Sequence, residues 1–288
     1  MTEDMMDNDF AHNPSRCAYP RTTDFRTADL RTADLRAAYD ELVAACSGRD
    51  WRDDPEDADR PETIQAMQIA LDMPKQEPPA RSALLAAAAR AVVAVCLDAR
   101  FLDELRPWYG HRIRKVARRA RNKAWKDVQE LPGITITHAA PATAADESGA
   151  DTTGSAAQAR VFPPSAVSEV DPRLGKLQIG HTDLPYDEPA LPDDEWPVLY
   201  VDRALNMSAG KAAAQVGHAS MLLAGSLPFA AVHTWAACGF PLAVREVPRA
   251  EFEAHCGEPG AVVVRDAGFT EIAPDSATVV AVPASLRG

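Results

Sequence analysis

Lys211 and Asp266 have the residue types and positions that chemistry on a phosphate or a polarised carbonyl would need. Lys211 follows a Ser-Ala-Gly turn that leads into an Ala-rich helix. Its ammonium and the free backbone N–H groups at that helix start favour an anion, either a phosphate or the oxyanion of a tetrahedral intermediate. Asp266 ends the apolar run AVVVRD, and a carboxylate at the carboxyl end of a strand is a frequent place for chemistry. It can orient or activate water, or hold Lys211 in place, so the site calls for no metal and no cofactor.

Each candidate residue also has a structural interpretation. A lysine at a helix start opposes the helix dipole, which favours a functional role for Lys211. An Asp shortly before a Gly is ordinary turn chemistry and would explain Asp266 without a site. His218 lies in an apolar helical stretch, where a buried structural role and a site role are about equally well supported. Thr270 is either a hydroxyl donor or a residue of a strand edge.

The elements that must position these residues begin at Trp196. The sequence predicts a strand, two helices and three further strands, a short helix preceding the third strand, in the segments VLYVD, MSAGKAAAQVGHASMLLAG, Phe229 to Cys238, PLAVREV, AVVVRD and TVVAVPA. Because helices and strands alternate, residues 196–288 are expected to form a mixed sheet covered by helices.

The region before this domain is predicted to be α-helical. Residues 37–138 form the helical region, with helices expected at 37–47 and 62–72. A long Ala-rich helix is expected to start at Ser82, which can cap it, and to run to about Leu105. The expected fold class is therefore α/β, with an α-helical N-terminal region preceding the C-terminal domain.

Two segments have compositions that disfavour a packed core. Residues 1–36 contain a short charged repeat and are expected to be a disordered tail. Residues 139–195 combine a linker rich in Ala, Thr, Ser and Gly with an acidic, Pro-rich stretch. They are interpreted as a linker and an extended arm that ties two folded parts together.

Positive charge is concentrated in one segment. The net charge is −12, yet residues 106–126 hold nine Lys or Arg and no acidic residue, whereas residues 127–196 have a net charge of −10. Apolar spacing of three and four predicts a basic amphipathic helix at 111–127. Five basic residues can fan across its polar face: Arg112, Lys115, Arg119, Lys123 and Lys126. The alternative is that this face is merely solvated or docks on the acidic arm.

Targeting and redox signals are weak. The five cysteines are scattered and odd in number, which favours free thiols and indicates neither a zinc site nor a disulfide framework. The acidic N-terminus has no signal-peptide core, and the longest apolar run, 84–97, is too short to cross a bilayer. We therefore expect a cytoplasmic protein without a membrane partner.

The C-terminal motifs, taken together, resemble the second, archaeal and eukaryotic, family of peptidyl-tRNA hydrolases. Their order and spacing over about ninety residues carry the resemblance, which covers roughly a third of the chain. The pieces in chain order are VLYV at 198–201, MSAGK at 207–211, AAQVGHA at 213–219, Trp235 with Gly239, VRDAGFT at 264–270 and TVVAV at 278–282.

The resemblance implies a fold, an activity and site residues. The fold is a three-layer domain with a four-stranded mixed sheet between helices, commonly a homodimer. The activity is hydrolysis of the ester that joins a peptide to the 3′ ribose of tRNA. The implicated residues are the catalytic Lys211, Asp266, Thr270 and His218, with Gln215 binding substrate beside them.

Two interpretations of function stay open. The first is an active peptidyl-tRNA hydrolase in which the basic helix, through Arg112, Lys115, Arg119 and Lys123, grips tRNA phosphates. The second is a non-catalytic binding protein that kept the fold. Ala209, Phe269 and Glu271 replace basic or amide residues that are usual in the family, and these changes support the second interpretation.

Overall fold

A computed structural model describes residues 31–47, 54–138, 156–189, 195–266 and 272–284. The chain is mixed α/β, as expected, and contains two mixed sheets among the described residues. The strands are β1 Gln65–Asp72, β2 Arg114–Ala120, β3 Ile134–His138, β4 Ala157–Val161, β5 Ser165–Ala166, β6 Val198–Asp202, β7 Ala243–Val247, β8 Val262–Arg265 and β9 Ala277–Val282. The α-helices are α1 Thr32–Cys46, α2 Arg81–Cys96, α3 Leu102–Tyr109, α4 Asn122–Val128, α5 Pro172–Gly175, α6 Ala209–Ser226, α7 Phe229–Ala237 and α8 Arg249–Cys256.

The C-terminal sheet confirms the expected architecture. Its order is β7-β6-β9-β8, with β6 parallel to β7 and with β9 antiparallel to both β6 and β8. One face of the sheet packs against α6 within the main core, and Phe252 of α8 packs against the other face. The domain therefore has three layers, with the sheet between helices.

The N-terminal region contains helices, as expected, and also a sheet that was not expected. Its order is β2-β1-β4-β3, and β5 pairs with the free length of β1. β1 is parallel to β2, and β4 is antiparallel to β1 and β3. The order and directions of the four main strands are thus the same as in the C-terminal sheet.

The helix predicted at 62–72 is wrong, because this segment is strand β1. Residues 66–71 are buried on both faces, so their apolar pattern does not alternate. A short apolar run of this kind has no period that separates a buried strand from a helix. The expected helix at 37–47 is confirmed, although it already starts at Thr32, within the segment expected to be a disordered tail. Residues 1–30 lie outside the described part of the chain.

The basic helix predicted at 111–127 is also wrong. Residues 114–120 form strand β2 at the edge of the N-terminal sheet, and the short helix α4 follows. The spacing of the small apolar residues is compatible with a helix, but pairing with β1 overrides that preference. An edge strand tolerates many charged side chains, since one of its sides has no strand neighbour.

The long helix predicted from Ser82 is divided in two. α2 ends at Cys96, and α3 begins at Leu102 after a turn. The N-cap residue of α2 is Ala80 and not Ser82. Ser82 lies inside the first turn, and its hydroxyl donates to Asp187 at 2.5 Å. All residues of α2 are buried, because the helix lies between the N-terminal sheet and α6.

The segment expected to be a linker and extended arm is partly a sheet element. Residues 157–161 form β4, which lies between β1 and β3, so the N-terminal folded unit continues beyond residue 138. Residues 178–189 do run as an extended arm across both halves. Thr182 accepts a hydrogen bond from the Gly210 N–H, and Asp187 accepts one from the Ser82 N–H. Residues 139–155 and 190–194 lie outside the described part.

Two further observations concern cysteines and membranes. Cys238 is disulfide-bonded, so the expectation that all five thiols are free is wrong; scattered sequence positions do not show which thiols meet in space. Within the described residues, no single helix is long and apolar enough to cross a membrane. Arg81–Cys96 together with Ala99–Tyr109, bent by 71°, satisfies the length and composition requirement as a pair.

Candidate active site

The start of α6 places Lys211 and is capped by two hydroxyls. The Ser208 side chain accepts a hydrogen bond from the Lys211 N–H at 3.2 Å. Thr182, from the arm, accepts one from the Gly210 N–H at 2.9 Å. These backbone donors are therefore satisfied within the protein and are not free for an anion, contrary to the sequence-based expectation. The ammonium of Lys211 remains the positive group of this helix start.

Lys211, Gln215 and Asp266 form one hydrogen-bonded cluster between α6 and the end of β8. The Lys211 ammonium is ion-paired with Oδ2 of Asp266, and their side chains are 13% and 6% exposed. Gln215, one turn after Lys211, donates from Nε2 to the same oxygen at 2.8 Å. Thr278 of β9 donates to Oε1 of Gln215 at 2.8 Å, which fixes the orientation of the amide. Asp266 is thus held as an oriented carboxylate.

His218 continues the same face of α6 and meets a residue from the N-terminal half. Its Nδ1 lies 3.0 Å from Nζ of Lys115, which belongs to β2. Burial, then the positive charges of Lys115 and Lys211, hold the pKa of His218 well below its ordinary value. The imidazole is therefore neutral at pH 7. Since Lys115 has only protons to donate, Nδ1 is the acceptor and Nε2 carries the proton.

Lys115 is a buried cation, and burial lowers its pKa to about 8. Its Nζ lies 3.7 Å from Sδ of Met221 and 4.8 Å from the centre of the Trp108 ring. Among the described residues, no ion pair involves Lys115. A cation-π contact and a neutral histidine stabilise an ammonium less than a carboxylate would, which accounts for the lowered pKa.

A cavity of about 640 Å³ joins these groups. The C-terminal half contributes polar residues to its lining, including Lys211, Gln215, His218 and Asp266. Its other walls are largely apolar and come from both halves, including Tyr109, Ile113, Ala117, Ile179, Met221 and Val264. A concave apolar site with a few convergent polar groups is the usual form of a small-molecule or acyl-group site.

The four basic residues expected to grip tRNA phosphates lie in two different places, two at the cavity and two outside it. Arg112 and Lys115 line the cavity, and Arg112 is ion-paired with Asp54 at 2.5 Å. Arg119 donates to the backbone carbonyl of His181 at 2.7 Å and lies outside the cavity. Lys123 is exposed and ion-paired with an acidic residue of its own helix. These residues therefore do not form one continuous basic face. Thr270 lies outside the described residues, so its predicted role stays a prediction.

Sequence reasoning missed several polar groups in or near the cavity, of which Asp54 and His111 line it. Asp54, Glu56 and His111 bring three possible ligand atoms within 4.8 Å of one another. Both carboxylates are already ion-paired, Asp54 with Arg112 and Glu56 with Arg114, which makes this set a poor cation site. Thr278 and Thr182 were missed as well. A single hydroxyl in an apolar strand or a Pro-rich arm is too weak a signal to identify either residue.

Comparison with known proteins locates the family in the same half of the chain as this cluster. Residues 197–286 match the family model described as peptidyl-tRNA hydrolase PTH2. No curated protein and no solved structure shows a significant match to the chain. The match spans β6 to β9 with the helices between them, and it includes Lys211, Gln215, His218 and Asp266. The resemblance inferred from the motifs is therefore confirmed: the C-terminal region of this chain matches the peptidyl-tRNA hydrolase PTH2 family.

Proposed function

We propose that the protein hydrolyses the ester bond between a peptide and the 3′ ribose of tRNA. The observation that carries the proposal is the buried Lys211–Asp266–Gln215 cluster facing a cavity within the family-matched domain. A paired ammonium and carboxylate, held by an amide, form an arrangement that can bind water and a developing negative charge side by side.

The reaction assigns separate roles to the two charged groups. Asp266 orients a water molecule, and the water oxygen attacks the ester carbonyl carbon. The ammonium of Lys211 stabilises the oxyanion of the tetrahedral intermediate. The bond to the ribose oxygen then breaks, that oxygen takes up a proton, and the products are a free peptide carboxylic acid and a tRNA with its 3′ hydroxyl. Thr270 is proposed to donate its hydroxyl to the ester carbonyl.

The cavity gives this chemistry a place for the acyl group. Its apolar walls suit aminoacyl and peptide side chains, while the polar cluster lies on one side. Arg112 and Lys115 are the two predicted tRNA-contacting residues that line this cavity. Lys115 is buried and bonded to His218, so we propose that Arg112 makes the cationic contact with the tRNA end. Arg119 and Lys123 have no part in this contact, since neither lines the cavity.

The test is release of tRNA from N-acetylaminoacyl-tRNA by the purified full-length protein. Lys211→Ala and Asp266→Asn are expected to lower kcat/KM by about 100-fold or more, because each removes a group that acts in the transition state. Lys123→Ala is the matched control, since it also removes an ammonium but lies outside the cavity.

Two outcomes of the tRNA-release assay would contradict the proposal. If wild type and the two site variants release tRNA equally slowly while tRNA still binds, the protein is a tRNA-binding protein that kept the fold. If Lys123→Ala falls as far as Lys211→Ala, the loss reflects positive charge in general and does not support a site at Lys211.

A further inference from the structure

The two halves of the chain share local details as well as strand order. Trp108 of α3 donates its indole N–H to the carbonyl of Arg114 at 3.1 Å. Trp235 of α7 donates its indole N–H to the carbonyl of Pro241 at 2.7 Å. In both halves the acceptor lies six residues after the Trp, where the chain approaches the second strand. The two tryptophans are 127 positions apart in the sequence.

The same separation relates two rarer features. Ile113 and Phe240, also 127 positions apart, both have positive φ, at 52° and 56°. A bulky or β-branched residue in this backbone region is uncommon, so its recurrence at matching places in the two halves is not explained by chance. The helices after the second strands, α4 and α8, begin at Asn122 and Arg249, again 127 positions apart.

The contact between α2 and α6 is reciprocal. Ser220 Oγ donates to the carbonyl of Ala89 at 2.8 Å. Gly217 lies so close to Val92 that a Cβ on Gly217 would be 2.8 Å from a methyl of Val92. At a separation of 128, Ala89 corresponds to Gly217 and Val92 corresponds to Ser220. Residue pairs that exchange in this way are the signature of an isologous, two-fold contact between like surfaces.

The N-terminal half has lost the cluster that defines the C-terminal site. At the separation of 128, Lys211, Gln215 and Asp266 correspond to Ala83, Ala87 and His138. His138 occupies the matching place at the end of β3, and burial lowers its pKa to about 4. The two alanines and a neutral histidine can neither hold an oriented carboxylate nor supply an ammonium.

The N-terminal half instead contributes a side chain of β2 to the C-terminal site. Lys115 is the second residue of β2, and its ammonium reaches His218 across the α2–α6 contact. At the position that corresponds to His218, the N-terminal half has Arg90, which donates to the carbonyl of Gly239 at 2.9 Å. We infer that residues 65–161 are a second, divergent copy of the hydrolase fold that lacks a catalytic cluster of its own. Its Lys115 positions His218 in the C-terminal site.

The inference rests on the proposed function and gives Lys115 a specific role there. By donating to Nδ1, Lys115 fixes the tautomer in which His218 Nε2 carries the proton. His218 then presents a neutral donor in the cavity, on the same helix face as Lys211 and Gln215. Such a donor can hold an oxygen of the 3′ ribose or of the acyl group during attack. Lys115 is therefore a positioning residue, and His218 is the group that meets substrate.

The experiment uses the full-length chain and has two arms. In the first, Lys115→Met is compared with Lys115→Arg by the nitrogen shifts of the His218 ring and by tRNA release. We expect Lys115→Met to raise the pKa of His218, to mix its tautomers and to lower kcat by up to about 100-fold, since a small misplacement of a site group can cost that much. Lys115→Arg, which keeps a cation, is expected to restore the tautomer in part.

In the second arm, His138→Asn is compared with Asp266→Asn, with thermal melting as the check of folding. His138→Asn is expected to leave kcat/KM unchanged, while Asp266→Asn lowers it by about 100-fold or more. An equal loss in the two variants, at unchanged melting temperature, would show that the N-terminal copy has a working site and would overturn the inference.

The failure of the inference is distinguishable from failure of the proposed function. Unchanged His218 nitrogen shifts in Lys115→Met would overturn the positioning role whether or not the wild type hydrolyses peptidyl-tRNA. An inactive wild type with a tautomer that depends on Lys115 would overturn the proposed reaction alone and leave the structural relation between the two copies supported.

Discussion

Gln215 donates from Nε2 to Oδ2 of Asp266 at 2.8 Å, within a chain of hydrogen bonds that starts at Thr278. Gln215→Met keeps the length and burial of the side chain but removes this donor. A hydrogen bond to a charged group contributes about 1.5–3 kcal/mol, so we expect a loss of about 10- to 100-fold in kcat/KM for tRNA release.

Thr278→Val is the companion variant, because it removes the hydroxyl that orients the amide while leaving Gln215 in place. Its loss of activity should be smaller than that of Gln215→Met. If Gln215→Met retains full activity, the amide has no part in orienting Asp266.

Arg81 and Glu246 form a buried ion pair that joins the two halves, at 2.6 Å and with side chains 3% and 5% exposed. Removal of one partner leaves the other charge buried without its counter-ion. Glu246→Gln is therefore expected to lower the free energy of unfolding by about 3–5 kcal/mol. Urea denaturation of the full chain measures this change.

The control for the buried pair is an exposed one. Lys123→Met breaks the ion pair with Asp127, in which Lys123 is 86% exposed, and should change the free energy of unfolding far less than Glu246→Gln does. Equal effects of Glu246→Gln and Lys123→Met would contradict a special contribution of the buried pair.

Lys115 should make stability depend on pH in the alkaline range. Burial lowers its pKa from 10.5 to about 8, so between these values the unfolded chain binds more protons than the folded one. Stability supported by this group therefore rises as pH increases from about 8 to 10.5, by up to about 3 kcal/mol.

The measurement is the difference in unfolding free energy between wild type and Lys115→Met at pH 7.5 and pH 10. Cys46 and Cys96, whose pKa values burial raises to about 11, are near Lys115 and titrate in both proteins. The difference should change in favour of wild type at the higher pH. A difference that is independent of pH would show that the ammonium is not buried in solution.

The protein is predicted to be a monomer. The family resemblance implies a homodimer through the C-terminal domain, but here α2 of the same chain packs along α6, with Val92 against Gly217 and Ala89 bonded to Ser220. Light scattering at micromolar concentration should give a mass of 31.0 kDa. A stable mass of twice that value would show that another face of the domain also associates.

The sequence predicted the C-terminal half well because its motifs are local. Strand β6, the helix bearing Lys211 and the strand just before Asp266 were all located, since each is an apolar run with a turn at its boundary. One of the roles expected of Asp266, holding Lys211 in place, is present as their ion pair.

The N-terminal half was harder to predict, because β1 shows no alternation and the small apolar residues of β2 also fit a helical spacing. Residues 66–71 are buried on both faces, and β2 reads as an amphipathic helix until β1 is placed beside it. The contact of Lys115 with His218 spans more than a hundred residues and depends on how α2 packs on α6. No local pattern indicates this contact. The strand order that the two sheets share depends on pairing between distant segments, which the sequence does not show.

The near-symmetry of α2 and α6 has a consequence for how this interface can vary. In a homodimer every interface substitution occurs twice, so a change that suits one side is imposed on the other. Fusion of the two copies in one chain removes that constraint: Gly217 can stay small to admit Val92, while its counterpart Ala89 need only offer a carbonyl to Ser220. The N-terminal half can thus accumulate substitutions that only support the fold, while the C-terminal half keeps its site residues. Each helix can therefore be redesigned separately.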